Sequence, residues 1–154
     1  ISTGWPTSQE RYSMRRKAKK GTLSWYKKEL WTIFSRYVRE RDGWKCFTCG
    51  RFASGSGMHA GHYITRAEAG LRLYFHERNV HAQCYHCNIN LSGNSDVYNL
   101  RIIEVYGKRV LTAMRKLRDL DRGDPLQWTI QDYEKKIKQY KAKLKKICQK
   151  QQTN

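Results

Sequence analysis

The sequence is poor in acidic residues. It has 13 Asp and Glu against 31 Lys and Arg, which gives a formal net charge of +18. An excess this large repels itself unless a polyanion lies nearby, and nucleic acid is the usual partner of such a chain. A solubilising surface or a ribosome-type structural protein would have a similar composition. The charge therefore predicts a class of partner but no chemistry.

Long apolar runs are also missing. No stretch approaches the ~18 residues of a membrane span, and no hydrophobic segment at the start resembles a secretory signal. We therefore expect a cytoplasmic protein without membrane association. No internal repeat is present, and 154 residues are enough for one compact domain or a small catalytic unit with helical arms.

Four of the five cysteines form two Cys-x-x-Cys pairs, Cys46 with Cys49 and Cys84 with Cys87. In a chain without signs of secretion, this spacing favours zinc thiolates over disulfides or two unrelated redox pairs. Four thiolates fill a tetrahedral zinc and leave no position for a water nucleophile. The sequence thus predicts one structural zinc per chain, with Cys148 as a passive residue.

We divide the chain into a basic arm (1–22), a zinc-stapled core with a leading helix (23–95) and a helical extension (96–154). The leading helix is expected from Ser24 to about Asp42. Short strands are expected on both sides of the Gly/Ser tract 53–57, the second at 58–64, and irregular structure at 65–78. A short helix is expected at the second cysteine pair. The leading helix has one apolar stripe at helical spacing, formed by Leu30, Ile33, Phe34, Tyr37 and Val38.

The helical extension is predicted to contain helices at 97–106 and 110–120, separated by Gly107. A final helix follows Thr129, with Asp132 placed as in a capping box. Its apolar seam has heptad-like spacing and consists of Ile130, Tyr133, Ile137, Tyr140, Leu144 and Ile147. Packing on the leading helix of the same chain is the economical interpretation, and homodimerisation is the alternative.

Several polar side chains lie between and just after the zinc cysteines. His62, Asn79 and Asn88 are three of them. Taken singly, each would be read as a hydrogen-bonding His or a helix-capping Asn. Their positions relative to the four cysteines resemble the motif of the zinc-containing HNH (ββα-metal) nucleases. The phage junction-resolving endonuclease VII family is similar in having an Asn metal ligand directly after its last zinc cysteine.

A more specific resemblance is to the NinG/Rap family of lambdoid phage recombination nucleases. It covers most of residues 23–147, and its matching segments are 60–63, 72–79 and 87–94, with 38–42 and 128–130 outside the core. The resemblance implies an α+β fold: a ββα-metal (HNH) core with a four-cysteine structural zinc, flanked by N-terminal and C-terminal helices. It also implies a metal-dependent DNA endonuclease of a phage or prophage in a bacterial host cell. The implied substrates are branched recombination intermediates such as Holliday junctions and D-loops.

The resemblance also implies roles for individual residues. His62 would be the general base that activates water, and Asn79 would hold the loop that orients it. Asn88 would bind a catalytic Mg²⁺ or Mn²⁺ that stabilises charge on the phosphate.

Gly61 departs from the HNH pattern, because many of these enzymes have a carboxylate or His directly before the base. We expect His59 to reach the metal across a tight turn at Gly61, with Glu77 and His81 as reserve ligands. A His ligand would favour Mn²⁺ over Mg²⁺.

DNA phosphates are expected to bind exposed basic side chains of the arm and of the final helix. These are Arg15, Arg16, Lys17, Lys19, Lys20, Lys135, Lys138, Lys141 and Lys145. The aromatic residues Trp25, Tyr26, Trp31 and Trp44 lie among the leading charges, and Trp31, outside the apolar stripe, is the candidate for stacking on unpaired bases. Opposing cuts in a four-way junction require two active sites and hence a homodimer. The alternatives are a non-catalytic zinc module that binds branched or double-stranded nucleic acid, and a less selective HNH nicking endonuclease.

Overall fold

The computed structural model describes residues 18–152 and has an α+β fold. A small antiparallel sheet consists of β1 (Met58–His62) and β2 (Val80–Cys84). The α-helices are α1 (Leu23–Arg41), α2 (Gly70–Tyr74), α3 (Ser95–Tyr106), α4 (Lys108–Gly123) and α5 (Ile130–Gln152). One turn of π-helix, His86–Asn90, follows β2. Within these residues no helix is both long and apolar enough to cross a membrane.

Helix α1 forms where the apolar stripe predicts it. Thr22 caps its first turn by accepting a hydrogen bond from the Trp25 backbone N–H at 3.3 Å. Leu30, Phe34 and Val38 are fully buried, as expected for residues that share one helix face. The helix therefore presents a continuous apolar surface to the rest of the chain.

Helix α5 packs against α1 within the same chain, so the economical interpretation of its seam is confirmed. Tyr133 and Tyr140 are buried in the same apolar cluster as Phe34 and Val38. The predicted capping box is present, because the Thr129 N–H donates to Asp132 Oδ2 at 2.9 Å and the Asp132 N–H donates to Thr129 Oγ1 at 3.3 Å. The apolar seam that suggested a homodimer is therefore buried within one chain. Dimerisation stays a prediction, and this seam no longer supports it.

Of the two short strands expected around the Gly/Ser tract, the second forms as β1 and the first does not. β1 does not pair with a strand before the Gly/Ser tract, where only an isolated bridge between Lys45 and Phe52 forms. Its partner is β2, with His62 opposite Val80 and Met58 opposite Cys84. β2 does alternate apolar and polar residues, but the run has five residues and ends at the second cysteine pair, and no strand was expected there. All five residues are buried, including the polar His81 and Gln83.

The segment 65–78, expected to be irregular, contains α2. This five-residue helix is too short to be stable alone, and it is held by a buried contact with α4. The Asp121 carboxylate accepts from the Arg72 backbone N–H at 2.7 Å and pairs with the Arg72 guanidinium. α2 therefore depends on a contact with a residue 49 positions away in sequence. The hydrophobic pattern of segment 65–78 does not predict this helix.

Candidate functional site

The sulfur atoms of Cys46, Cys49, Cys84 and Cys87 lie within 4.8 Å of one another. A tetrahedral zinc with bonds of about 2.3 Å requires sulfur atoms about 3.8 Å apart, and those of Cys49 and Cys84 are 3.7 Å apart. Burial alone would raise the pKa of the Cys46 thiol, but hydrogen bonds from the backbone and the Thr48 hydroxyl lower it. The residues thus fit a structural zinc site joining the turn after α1 to the end of β2.

His62 ends β1, and its imidazole is oriented by a backbone carbonyl. Its Nε2 lies 2.9 Å from the carbonyl oxygen of Tyr74, the last residue of α2. A carbonyl oxygen only accepts, and carbonyls at a helix C-terminus lack intrahelical partners, so Nε2 donates this hydrogen bond. Nδ1 is therefore the nitrogen able to accept a proton.

The surroundings of His62 keep its ring neutral at neutral pH. Burial lowers its pKa to about 4, the Tyr74 hydrogen bond opposes this shift, and the positive charge of Arg66 lowers the pKa further. An unperturbed His has a pKa of ~6.5, so the buried His62 ring is less readily protonated than an exposed one. Trp31 is stacked on the imidazole with ring centroids 5.2 Å apart, so this indole supports His62 and does not stand free to stack on bases.

Asn79 is completely buried and connects the two segments that position His62. Its Oδ1 accepts from the Ile64 N–H at 2.8 Å, and its Nδ2 donates to the carbonyls of Ile64 and Leu73 at 3.1 and 3.2 Å. Ile64 lies just beyond His62, and Leu73 lies one residue before the carbonyl that His62 contacts. Asn79 therefore holds β1 and α2 at the spacing that the His62 hydrogen bond requires.

Asn88, in the π-helical turn, faces β1 beside His62. Its Nδ2 lies 2.8 Å from His59 Nδ1, and it lines the same cleft as Gly61, His62 and Arg66. The tight turn expected at Gly61 is absent, because Gly61 lies within β1 opposite His81. Alternation along the strand instead places residues 59 and 61 on one face, which brings His59 to Asn88 without a turn.

The two reserve metal ligands have other contacts and do not reach this cleft. Glu77 accepts from the Tyr37 hydroxyl at 2.8 Å and pairs with Lys143 of α5. His81 is buried, with Nδ1 3.1 Å from the Tyr98 hydroxyl and Nε2 2.8 Å from the Tyr106 hydroxyl. Both side chains are structural, and the prediction that they could bind the catalytic metal is wrong.

Part of the predicted DNA-contacting set can be placed. Arg15, Arg16 and Lys17 lie outside the described residues, whereas Lys19 and Lys20 are exposed just before α1. On α5 the exposed members are Lys135, Lys138, Lys141 and Lys145. Lys143 of the same helix instead pairs with Glu77.

Sequence reasoning missed three contributors to the site. The Tyr74 carbonyl could not be identified because α2 was not predicted. Arg66 follows His62 by four residues but has no motif, and Gln83 was hidden in the unrecognised strand β2. A strand assignment for β2 would have shown that Gln83 lies opposite His59.

Comparison with known proteins identifies relatives for nearly the whole chain. The family model described as bacteriophage lambda NinG protein matches residues 6–150. The chain is 32% identical over 139 residues to protein ninG of Escherichia phage lambda, covering 90% of this chain and 64% of that protein. Protein ninG of Salmonella phage P22 is also 32% identical over 139 residues with the same coverage, and that of Enterobacteria phage H19B is 33% identical over 110 residues, 71% of this chain and 51% of its own.

The chain thus spans somewhat less than two thirds of the length of the lambda and P22 relatives. No solved structure matches it. The family match includes both cysteine pairs and the whole cleft around His62 and Asn88, and on this basis the chain belongs to the NinG family.

Proposed function

We propose that this protein is a metal-dependent, structure-selective DNA endonuclease of the HNH (ββα-metal) type. The observation that carries the proposal is the arrangement of His62. Its ring is neutral at neutral pH, is held by the Tyr74 carbonyl and the Trp31 indole, and shares a cleft with Asn88. A neutral imidazole with one nitrogen engaged and the other able to accept is what a general base for water requires.

The chemistry would be hydrolysis of a phosphodiester bond. His62 Nδ1 takes the proton of a water molecule as its oxygen attacks phosphorus, and Tyr74 keeps the imidazole in the competent tautomer. A Mg²⁺ or Mn²⁺ ion, when bound, stabilises negative charge on the phosphate and the leaving oxygen. Asn88 is the side chain that would hold this ion, and His59 stands beside it with Nδ1 directed at the Asn88 amide.

Arg66 is placed to bind the phosphate. Its side chain lies over the Trp31 ring at 5.7 Å and lines the cleft that contains His62. A guanidinium there attracts the phosphate, and it also disfavours a second positive charge on His62. The phosphate and the neutral base are thus brought together by the same residue.

The excess of positive charge and the exposed lysine face of α5 support DNA as the substrate. Lys135, Lys138, Lys141 and Lys145 would bind phosphates that flank the cut without reading base sequence. Branched DNA, as in Holliday junctions and D-loops, is the substrate we propose. Opposing cuts in one junction would require two chains bound to it.

The proposal is tested by incubating the zinc-loaded protein with an end-labelled four-way junction or a linear duplex of the same sequence, in Mg²⁺ or Mn²⁺. We expect the parent to cut the junction in preference and His62→Ala to lose at least about 100-fold in rate, because general-base catalysis typically contributes roughly 10²–10⁴-fold. His86→Ala is the matched control, since His86 is exposed and contacts Asn90 instead of the cleft. Its rate should equal that of the parent.

Each other outcome excludes part of the proposal. Equal cleavage by the parent and His62→Ala would exclude His62 as the base. Junction binding by a parent that cuts nothing in either metal would indicate a non-catalytic zinc module. Equal cutting of junction and duplex would indicate a less selective nicking enzyme.

A further inference from the structure

The backbone beside Gly61 is approached by two side-chain oxygen atoms. A Cβ atom at Gly61 would lie closer than van der Waals contact to Gln83 Oε1 and 3.0 Å from Asn88 Oδ1. Both oxygens are therefore within 3.0 Å of one position, at the residue directly before the proposed base His62. The space that a side chain at 61 would fill is occupied by the amide of Gln83.

The orientation of the Gln83 amide is determined by its other end. Gln83 is completely buried, and its Nε2 donates to the Gly93 carbonyl oxygen at 2.8 Å. A carbonyl cannot donate, so the NH₂ group must face Gly93 and Oε1 must face Gly61. Among the described residues Oε1 has no hydrogen-bond partner. A buried acceptor without a partner destabilises the fold, and a ligand bound at Oε1 would relieve that cost.

The Asn88 amide is oriented in a comparable way. Its Nδ2 lies 2.8 Å from His59 Nδ1. When this nitrogen accepts from the amide, Oδ1 remains free to face Gly61. His59 then acts as a positioning residue, because its Nδ1 is engaged with the Asn88 amide.

Two converging amide oxygens repel each other, and an electropositive ligand bound by both would offset that repulsion. Side-chain amide carbonyls are accepted ligands of hard divalent cations, at about 2.0–2.6 Å for Mg²⁺ and Ca²⁺. We propose that Gln83 Oε1 and Asn88 Oδ1 together hold the divalent cation, so that Gln83 substitutes for the side chain that Gly61 lacks. This proposal rests on the proposed function and identifies a metal ligand for it.

A neutral ligand pair has a consequence for how the metal is bound. Without a carboxylate, and in a protein of net charge +18, the two oxygens attract a free dication only weakly. The phosphodiester supplies the negative charge that is missing from the protein. The cation is therefore expected to bind tightly only together with DNA.

The proposal is tested by measuring Mn²⁺ binding without DNA. The zinc-loaded protein is titrated with Mn²⁺, and free Mn²⁺ is followed by electron paramagnetic resonance. Gln83→Glu replaces the amide with a carboxylate of the same shape and should tighten binding at least about 10-fold. Gln131→Glu adds the same charge at an exposed position of α5 and should leave the affinity at the parent's value.

Two further variants either remove Gln83 Oε1 or displace it. Gln83→Met keeps the length of the side chain without its oxygen, and Gly61→Ala pushes the Gln83 amide away. Both should weaken Mn²⁺ binding at least about 5-fold relative to the parent. Circular dichroism and zinc content establish that each variant is folded, and the Gln83→Met comparison decides the question if Gln83→Glu does not fold.

Equal Mn²⁺ affinity of Gln83→Glu and Gln131→Glu, or of Gln83→Met and the parent, would overturn the assignment. The Mn²⁺ binding result can be distinguished from failure of the proposed function, because binding is measured without DNA and cleavage is measured in a separate assay. A parent that cuts junctions while Gln83→Met binds Mn²⁺ normally refutes only Gln83 as a ligand. A parent that cuts nothing refutes the endonuclease while the Mn²⁺ pattern still tests the ligand pair.

Discussion

Individual buried polar residues hold the site together, and Asn79 shows how. Both polar atoms of its side chain are hydrogen-bonded to backbone. Oδ1 accepts from the Ile64 N–H, and Nδ2 donates to the carbonyls of Ile64 and Leu73. Removing such a side chain leaves buried backbone groups unsatisfied, which is more damaging than the loss of an exposed hydrogen bond. The effect on stability should therefore be large for a single amide.

We expect Asn79→Ala to lower the free energy of unfolding by about 2–4 kcal/mol, measured by urea denaturation of the zinc-loaded protein. Asn99→Ala is the control, because Asn99 is only half-buried and accepts one hydrogen bond from the Tyr63 hydroxyl. Its loss should be about 1 kcal/mol. Similar losses for the two variants would contradict the structural role assigned to Asn79.

His81 should make the protein less stable as the pH falls. Burial, assisted by the charge of Arg41, lowers the pKa of His81 to about 3, whereas an unfolded chain has a His pKa near ~6.5. Below about pH 6.5 the unfolded state therefore binds a proton that the folded state refuses, and stability decreases.

Between about pH 7 and pH 5.5 this one group should remove about 1 kcal/mol of stability. The measurement is the free energy of unfolding of the parent and of His81→Gln across that range, in which only the parent contains the group. We expect the parent to be the more pH-dependent of the two by that amount. Parallel curves would show that the His81 pKa is close to its unfolded value.

At the scale of elements, the α3–α4 junction depends on the backbone of one glycine. Gly107 has φ 80° and ψ 160°, a conformation that side chains disfavour, and nothing lies within 4 Å of where its Cβ would be. Gly123, at the end of α4, has equally open surroundings without a positive φ. The two glycines therefore separate backbone strain from steric contact.

Gly107→Ala should lower the free energy of unfolding by about 1–3 kcal/mol. Gly123→Ala should leave it unchanged or raise it by up to about 1 kcal/mol, because Ala favours helix over Gly. Thermal and urea unfolding of both variants test this. A neutral Gly107→Ala would mean that α3 and α4 can be joined with an ordinary backbone conformation.

For the whole molecule, the four-cysteine cluster joins segments that have little apolar contact of their own. The apolar cluster around it consists largely of the cysteines themselves, with Met58 and Ala82. Metal binding in such clusters contributes directly to folding. Removal of one thiolate should therefore affect the whole core.

We expect about one zinc per chain in the purified protein, and we expect Cys84→Ser to lose both the zinc and cooperative unfolding. Cys148→Ser is the control, since Cys148 lies on α5 away from the cluster and should retain both. Zinc content is measured by atomic emission and folding by circular dichroism. A cooperatively folded, zinc-free Cys84→Ser would refute a structural role for the metal.

Features that depend on nearby residues could be read from the sequence. The helix from Leu23 to Arg41 and the capping box at Thr129 arise from side-chain periodicity and hydrogen bonds within a few residues. The cysteine pairs also predict their own convergence, because thiolate spacing is a property of short turns. The family resemblance added the identities of His62, Asn79 and Asn88, whose catalytic and metal-binding roles stay predictions.

Tertiary structure alone decided the rest. β2 alternates apolar and polar residues, yet both of its faces are buried, and this burial depends on the chain packed around the strand. α2 exists because Asp121 of α4 binds its backbone. The pKa of His62 depends on burial and on Arg66, which no local pattern contains. Gln83 reaches the space beside Gly61 only because the two strands pair in antiparallel register. Such features depend on contacts between residues far apart in sequence, so only the folded chain brings them together.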